Sequence, residues 1–193
     1  MIRKYVLALS ILSLPLGLVA FGTTTANASV RPHTTVTMTG SISCKIVGKI
    51  TATPGLKLTT PQTVKIVLSV TASGCTGNTS QGGATVKSGK VSGTITGSYS
   101  CESLLSSVPN PSGTIKWTSS TTTKIAPTDF ALSNGTIVST APPTITYSST
   151  QTGSYAGSGS TTAVVKQSEN ALITACSSST GVTKLTIKSG SIS

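Results

Sequence analysis

Apolar side chains recur at every second position through much of this chain. The clearest case is residues 63–77, where one face is formed by Val64, Ile66, Leu68 and Val70. A period of two puts alternate side chains on opposite faces of an extended backbone. The stretch therefore predicts a strand with one face on a core, and similar stretches separated by turn residues follow it to the C-terminus.

Only two stretches have helical spacing instead. In residues 101–108, Leu104 and Leu105 lie three and four positions after Cys101, and Ser168 is placed to cap a second short helix that carries Leu172. Short alternating strands with one or two short helices predict an all-β fold of about eight to ten strands. We expect an antiparallel β-sandwich, with a closed β-barrel as the alternative.

Turn residues predict where the strands reverse. Residues 84–100 are expected to form a hairpin about the Lys-Ser-Gly-Lys sequence at 87–90. Asn134-Gly135 is the strongest signal in the chain for a hairpin with a two-residue turn.

The N-terminus has the pattern of an export signal. Arg3 and Lys4 precede an apolar run over residues 5–21, and the Ala-Asn-Ala sequence at 26–28 has the small-x-small form that signal peptidase cleaves. The modest length of the run argues against an uncleaved membrane anchor. We therefore expect a signal peptide at 1–28 and no transmembrane span after its cleavage.

The rest of the chain is expected to fold as one unit. Residues 29–40 are interpreted as a polar lead-in with a first strand, and residues 41–193 as a single β domain. Charged residues are 9% and aromatic residues 4% of the chain, and regular alternation of Val and Ile argues against disorder. The expected location is extracellular, either secreted or associated with the cell envelope.

The chain has four cysteines: Cys44, Cys75, Cys101 and Cys176. An even number in an exported chain predicts two disulfides. Because Cys75 and Cys101 flank one predicted hairpin while the other two lie near the ends of the domain, we predict the pairs Cys75–Cys101 and Cys44–Cys176. There is no Cys-x-x-Cys pair and the single histidine, His33, is isolated, so neither a metal nor another cofactor is expected.

Catalytic patterns are scarce. The acids are Glu102, Asp129 and Glu169, far apart in sequence, and no Gly-x-Ser-x-Gly nucleophile motif occurs. A glycosidase needs two carboxylates that face one bond, which three acids could supply only through folding. We predict a protein that is not an enzyme, and a small hydrolase is the less favoured reading.

Positive charge is the one chemical feature above background. The chain carries +11, or +9 without Arg3 and Lys4. The lysines on outward positions of predicted strands are Lys45, Lys49, Lys65, Lys116, Lys184 and Lys188. They are interpreted either as a solubilising coat or as a surface attracted to anionic envelope polymers or lipid headgroups. Few arginines and few aromatics argue against nucleic acid as a partner.

Two aromatic residues are interpreted differently. Trp117 alternates with Ile115 and is expected in the core. Tyr155 lies among glycines and serines, which favours an exposed aromatic in a ligand-binding loop.

Several motifs together are similar to a known group of proteins. They are GCTG from Gly74, GGATVKSGKVSGTITG from Gly82, SCESLL from Ser100, GTIKW from Gly113, GSYAGSGS from Gly153 and ALITACSSSTGVTKLTI from Ala171. With the four cysteines, their order resembles a family of small secreted actinobacterial proteins of unknown function. The resemblance implies an exported, disulfide-bonded β domain and brings no catalytic residues.

The sequence thus predicts an exported, non-enzymatic β domain that acts as a structural or binding module with a basic surface. The alternative is a secreted module that binds or inhibits another protein through turns such as residues 78–83 and 153–160.

Overall fold

A computed structural model describes residues 34–77, 80–106, 109–138 and 141–193. The predicted signal peptide at 1–28 and His33 lie outside these residues. The strands, in chain order, are β1 (Thr35–Val36), β2 (Ser43–Leu56), β3 (Gln62–Thr76), β4 (Val86–Tyr99), β5 (Ser112–Ser119), β6 (Lys124–Ile125), β7 (Thr128–Val138), β8 (Thr144–Gly153), β9 (Gly157–Val165) and β10 (Val182–Ile192). The helices are α1 (Cys101–Ser106) and α2 (Glu169–Ser177).

Eight of the strands close into one barrel, in the order β10-β2-β3-β4-β5-β7-β8-β9. Neighbours around the barrel are antiparallel, and β10 closes it by pairing with β2. The two remaining strands, β1 and β6, form a separate parallel pair. The predicted all-β fold with two short helices and two disulfides is confirmed.

The closed barrel, stated as the alternative, is the observed architecture, and the sandwich is wrong. Alternation specifies that each strand has a buried face, which holds for both architectures. The deciding feature is the pairing of β2 with β10, for example Lys49 opposite Thr186. That contact joins residues far apart in sequence, so no local pattern reports it.

Neither of the two predicted hairpins exists. β4 continues through residues 87–90, and β7 continues through Asn134 and Gly135. Asn134 has a φ of 51°, and the register of β7 against β8 shifts between Ser133 and Thr136. The Asn-Gly pair therefore forms a bulge, which uses the same left-handed backbone as a tight turn.

The predicted disulfide pairing is also wrong. The bonds are Cys44–Cys75 and Cys101–Cys176, not Cys75–Cys101 and Cys44–Cys176. Cys44 and Cys75 lie on adjacent strands, with their Cα atoms 4.0 Å apart. Because β4 is one strand of 14 residues, about 45 Å at about 3.3 Å per residue, it carries the chain from the end of the barrel that holds Cys75 to the end that holds Cys101.

The second disulfide joins the two helices. Cys101 begins α1 and Cys176 lies near the end of α2, with Cα atoms 6.2 Å apart. The predicted cap of α2 is confirmed, because the Ala171 amide donates to Ser168 Oγ at 3.3 Å. Both helices therefore lie at the end of the barrel where β2 and β4 finish.

Candidate functional site in the barrel interior

One end of the barrel is closed by packed side chains. At the end where β2 begins, Met38, Trp117 and Tyr155 are buried, and Met38 is only 1% exposed. The rings of Trp117 and Tyr155 meet edge to face with centroids 5.5 Å apart. We call these three residues the plug.

Hydrogen bonds hold the plug in place. Trp117 Nε1 donates to Thr128 Oγ1 at 2.8 Å, and the Thr128 hydroxyl donates in turn to the Ser154 carbonyl. The Met38 amide donates to Ser154 Oγ at 3.1 Å, and the Tyr155 amide to the Met38 carbonyl at 2.8 Å. With its polar groups paired, this end is built as a rigid floor.

This arrangement confirms the core position of Trp117 and contradicts the ligand-loop prediction for Tyr155. The Tyr155 side chain is 4% exposed, and burial raises the pKa of its hydroxyl. Its φ of 56° turns the chain between β8 and β9 so that the ring points into the barrel. The surrounding glycines and serines serve that tight turn, and they do not present the ring to solvent.

Above the plug the barrel is not filled. A cavity of about 140 Å³ lies inside it. Seven hydrophobic side chains that the strands contribute to its lining are only half-buried. They are Ile50, Ile66, Leu68, Ile95, Ile137, Tyr147 and Leu185.

Side-chain size explains the vacant space. An eight-stranded barrel has an interior that side chains can just fill or that can hold one small ligand. Most of the lining is aliphatic, and Phe130 and Tyr147 are its only aromatic members among the described residues. Gly93 also faces inward, where a Cβ would lie 2.7 Å from the Ser112 carbonyl oxygen on β5. The close approach of β4 and β5 thus leaves no room for a side chain at position 93, and the interior has one side chain fewer to fill it.

A polar stripe runs along one side of the cavity. Tyr147, Ser149 and Gln151 on β8 and Thr161 on β9 belong to the lining. Gln151 Nε2 donates to Ser149 Oγ at 3.3 Å, so part of the stripe is already paired within the protein. Burial raises the pKa of Tyr147 to about 12, and the hydroxyl is therefore neutral at physiological pH.

The other end of the barrel is partly covered by α1, and the exposed Lys184 lies at the edge of the cavity there. Leu104 on α1, with Pro109 and Pro111 after it, contributes to the cavity lining. Cys101 and Cys176 link α1 to α2 there. Lys57 Nζ donates to the carbonyls of Ser178 (3.3 Å) and Ser179, which attaches the segment after α2 to the β2–β3 connection. The disulfide and Lys57 therefore fix the cover over the cavity.

All six predicted surface lysines are exposed, and they lie within five adjacent strands of the eight in the barrel. We define the lysine arc as the exposed lysines of the five adjacent strands β10, β2, β3, β4 and β5. Its members are Lys45, Lys49, Lys65, Lys87, Lys90, Lys116, Lys184 and Lys188. These five strands carry no acid, whereas β7, β8 and β9 carry Asp129 and no lysine.

The acids do not assemble into a site. Glu102 and Glu169 lie in the first turns of α1 and α2, where the helix dipole favours a negative charge. Asp129 is exposed on β7 and accepts a hydrogen bond from Thr114 Oγ1 at 2.7 Å. None of the three is in the cavity lining. Within the part of the chain that is described, no group of three metal-ligating side chains occurs.

Sequence reasoning placed the inward aliphatic residues in a core and missed the cavity. Residues such as Ile95 and Ile137 have the same alternation whether they pack against a partner or border empty space. Two weak signals were present: the low aromatic content and a glycine at the inward position 93.

No helix in residues 34–77, 80–106, 109–138 and 141–193 is long and apolar enough to cross a membrane. Comparisons of this chain with protein-family models, with curated proteins and with solved structures find no match.

Proposed function

We propose that this protein is an exported, non-enzymatic binding module whose barrel interior takes up a small apolar molecule. The observation that carries the proposal is the ring of half-buried aliphatic side chains around the 140 Å³ cavity. A cavity of roughly this size lined by Leu, Ile and Phe stays dry and binds small apolar ligands in other proteins. Export and release, or retention at the envelope, remain part of the proposal.

Energetics support a ligand-binding role for this space. Vacant volume in a core costs about 24 cal/mol per Å³, which gives about 3 kcal/mol for a cavity of 140 Å³. A ligand that fills the space restores part of the lost packing energy, and transfer of its apolar surface out of water adds a favourable contribution. The rigid plug at one end and α1, which the Cys101–Cys176 disulfide anchors, at the other keep the space from collapsing.

Titration with benzene, an uncharged probe that a cavity of this size can hold, tests this function. We expect isothermal titration calorimetry to show saturable binding that fits one site per chain. An apolar competitor should displace the probe, and protein unfolded in denaturant should give no saturable signal. A signal that rises linearly with probe, or none in the folded protein, would contradict the proposal.

The lysine arc supports a second part of the proposal, loose association with an anionic envelope surface. Lys90 and Lys116 are directly opposite each other on β4 and β5. Like charges in this position destabilise a sheet. Anions bound along the arc would relieve that repulsion, and each lysine near an anionic membrane contributes about 1 kcal/mol of attraction.

Co-sedimentation with lipid vesicles tests the association. We expect binding to vesicles that contain phosphatidylglycerol, release at high salt and no binding to pure phosphatidylcholine. Glutamine at Lys45 and Lys49 should weaken binding, whereas glutamine at Lys124 and Lys166, which lie outside the arc and remove the same two charges, should have a smaller effect. Equal effects of the two sets would show that net charge alone matters, and the arc would then have no special role.

A further inference from the structure

We infer that the ligand is a single-chain anionic amphiphile whose acidic head group is bound by Lys184 at the mouth of the cavity. This inference rests on the proposed function. It adds the chemical class of the ligand and its orientation.

Lys184 holds a special position in the cavity lining. Among the described residues it is the only charged one that borders the cavity, and its side chain is exposed. No carboxylate occurs in the lining to neutralise it. The border of the cavity therefore carries one positive charge beside an otherwise apolar surface.

An irregularity in the pairing of β10 with β2 lies beside Lys184. Between two paired positions β10 advances from Val182 to Lys184 while β2 advances from Leu56 to Thr51, so the extra residues lie in β2. Regular alternation places Lys184 on the same face as Val182 and opposite to Leu185, yet all three contribute to the lining. Residues from both faces of β10 therefore border the cavity at this irregular end of the strand.

The backbone around Lys184 is held by one neighbouring side chain. Gln167 Nε2 donates to the Lys184 carbonyl at 3.3 Å, and the Thr186 amide donates to Gln167 Oε1 at 3.1 Å. Both ends of the Gln167 amide thus bind β10 on either side of Leu185. The base of the lysine is fixed while its ammonium group is free to reach an anion in solvent.

The two chemistries, apolar interior and cationic rim, fit different parts of one ligand. A hydrocarbon chain would occupy the space between Ile95, Ile137 and Leu68, and a carboxylate would lie at Lys184. This combination suits a fatty acid or a similar single-chain acid. A head group that carries a positive charge would be repelled by Lys184.

A matched pair of ligands tests the inference separately from the proposed function. The test compares a medium-chain fatty acid with the primary alcohol of the same chain length. Each is added below its critical micelle concentration, and its affinity is measured by competition with the uncharged probe. An ion pair at an exposed site contributes up to about fivefold in affinity, so we expect the acid to bind about fivefold more tightly than the alcohol. In Lys184→Gln the two should bind equally, and the alcohol should keep its wild-type affinity.

Lys188→Gln is the matched control, because Lys188 is exposed on the same strand and is not in the lining. It should retain the preference for the acid. Equal binding of acid and alcohol to the wild type, or a preference that persists in Lys184→Gln, would overturn the role of Lys184 and leave the cavity intact as a neutral site. Failure of both ligands and of the probe to bind would instead overturn the proposed function itself.

Discussion

Filling the cavity should stabilise the protein and abolish its binding of apolar molecules. Ile95 is the best position for this change, because it is half-buried, borders the cavity and lies on the middle of β4. In Ile95→Trp the larger ring would occupy space that the ligand otherwise uses. A purely structural core would respond in the opposite way, since an enlarged side chain in a filled core usually costs stability.

The expected size of the effect follows from the cavity volume. At about 24 cal/mol per Å³, the vacant 140 Å³ costs at most about 3 kcal/mol. A tryptophan that fills a third of it would recover about 1 kcal/mol. For a domain of this size that raises Tm by about 2–4 °C.

The assay combines thermal unfolding with titration of the uncharged probe. Thr94→Trp is the control, because Thr94 is the adjacent residue on the same strand and is exposed on the outer face. It adds the same ring without entering the cavity, so it should change neither Tm nor probe binding appreciably. Ile137→Phe, on β7, offers a second way to fill the space.

The refuting result is clear. If Ile95→Trp and Ile137→Phe remain folded and bind the probe as tightly as the wild type, the cavity is not the site. If both lose stability by several kcal/mol, the interior is already filled and the reasoning from half-buried side chains fails.

Three further predictions concern the parts that frame the cavity. Replacing both Cys101 and Cys176 by Ser should lower the free energy of unfolding by about 4 kcal/mol in the loop-entropy model. Chemical denaturation of the variant and the wild type measures this difference. An unchanged free energy of unfolding would contradict a fixed cover. Burial raises the pKa of Tyr147 from 10.0 to about 12, so the folded state favours the protonated hydroxyl. The free energy of unfolding should therefore be unaffected below pH 10 and fall by roughly 3 kcal/mol as the pH rises to 12. Tyr147→Phe should lack this component of the decline. Trp117→Phe removes the hydrogen bond to Thr128 and weakens the edge contact with Tyr155. We expect the variant to be destabilised by about 1–3 kcal/mol and to keep its affinity for the probe. A loss of probe binding without a loss of stability would instead place the site at the plug.

The sequence predicts the elements of this fold well and their long-range arrangement poorly. Alternation and capping are local, which is why the strand at Val64–Val70 and the cap at Ser168 are found correctly. Closure of the barrel depends on β2 meeting β10, and the disulfide pairing depends on which end of the barrel each cysteine reaches. The disulfide pairing follows from β4 being one long strand, and the glycine in the 87–90 sequence disguised that continuity.

The candidate site was out of reach for a related reason. A cavity forms where the inward side chains have too little volume to fill the interior, and the pattern of apolar positions describes only which way side chains point. Lys184 illustrates the limit, because its side chain is exposed as predicted, while the irregular pairing of β10 with β2 beside it, at the cavity border, has no sequence signature. Tyr155 shows the reverse error, since glycine-rich surroundings suggested a loop where the chain makes a tight turn into the core.

Methyl NMR of the folded protein with an uncharged apolar ligand tests the central claim most directly. The account predicts that the methyl signals of Ile95, Ile137 and Leu68, inside the barrel, shift on titration with one common dissociation constant. The methyls of Val47 and Val138, each 50% exposed on the outside, should stay in place. Shifts at Val47 and Val138 with none at the interior methyls would contradict a ligand site within the barrel.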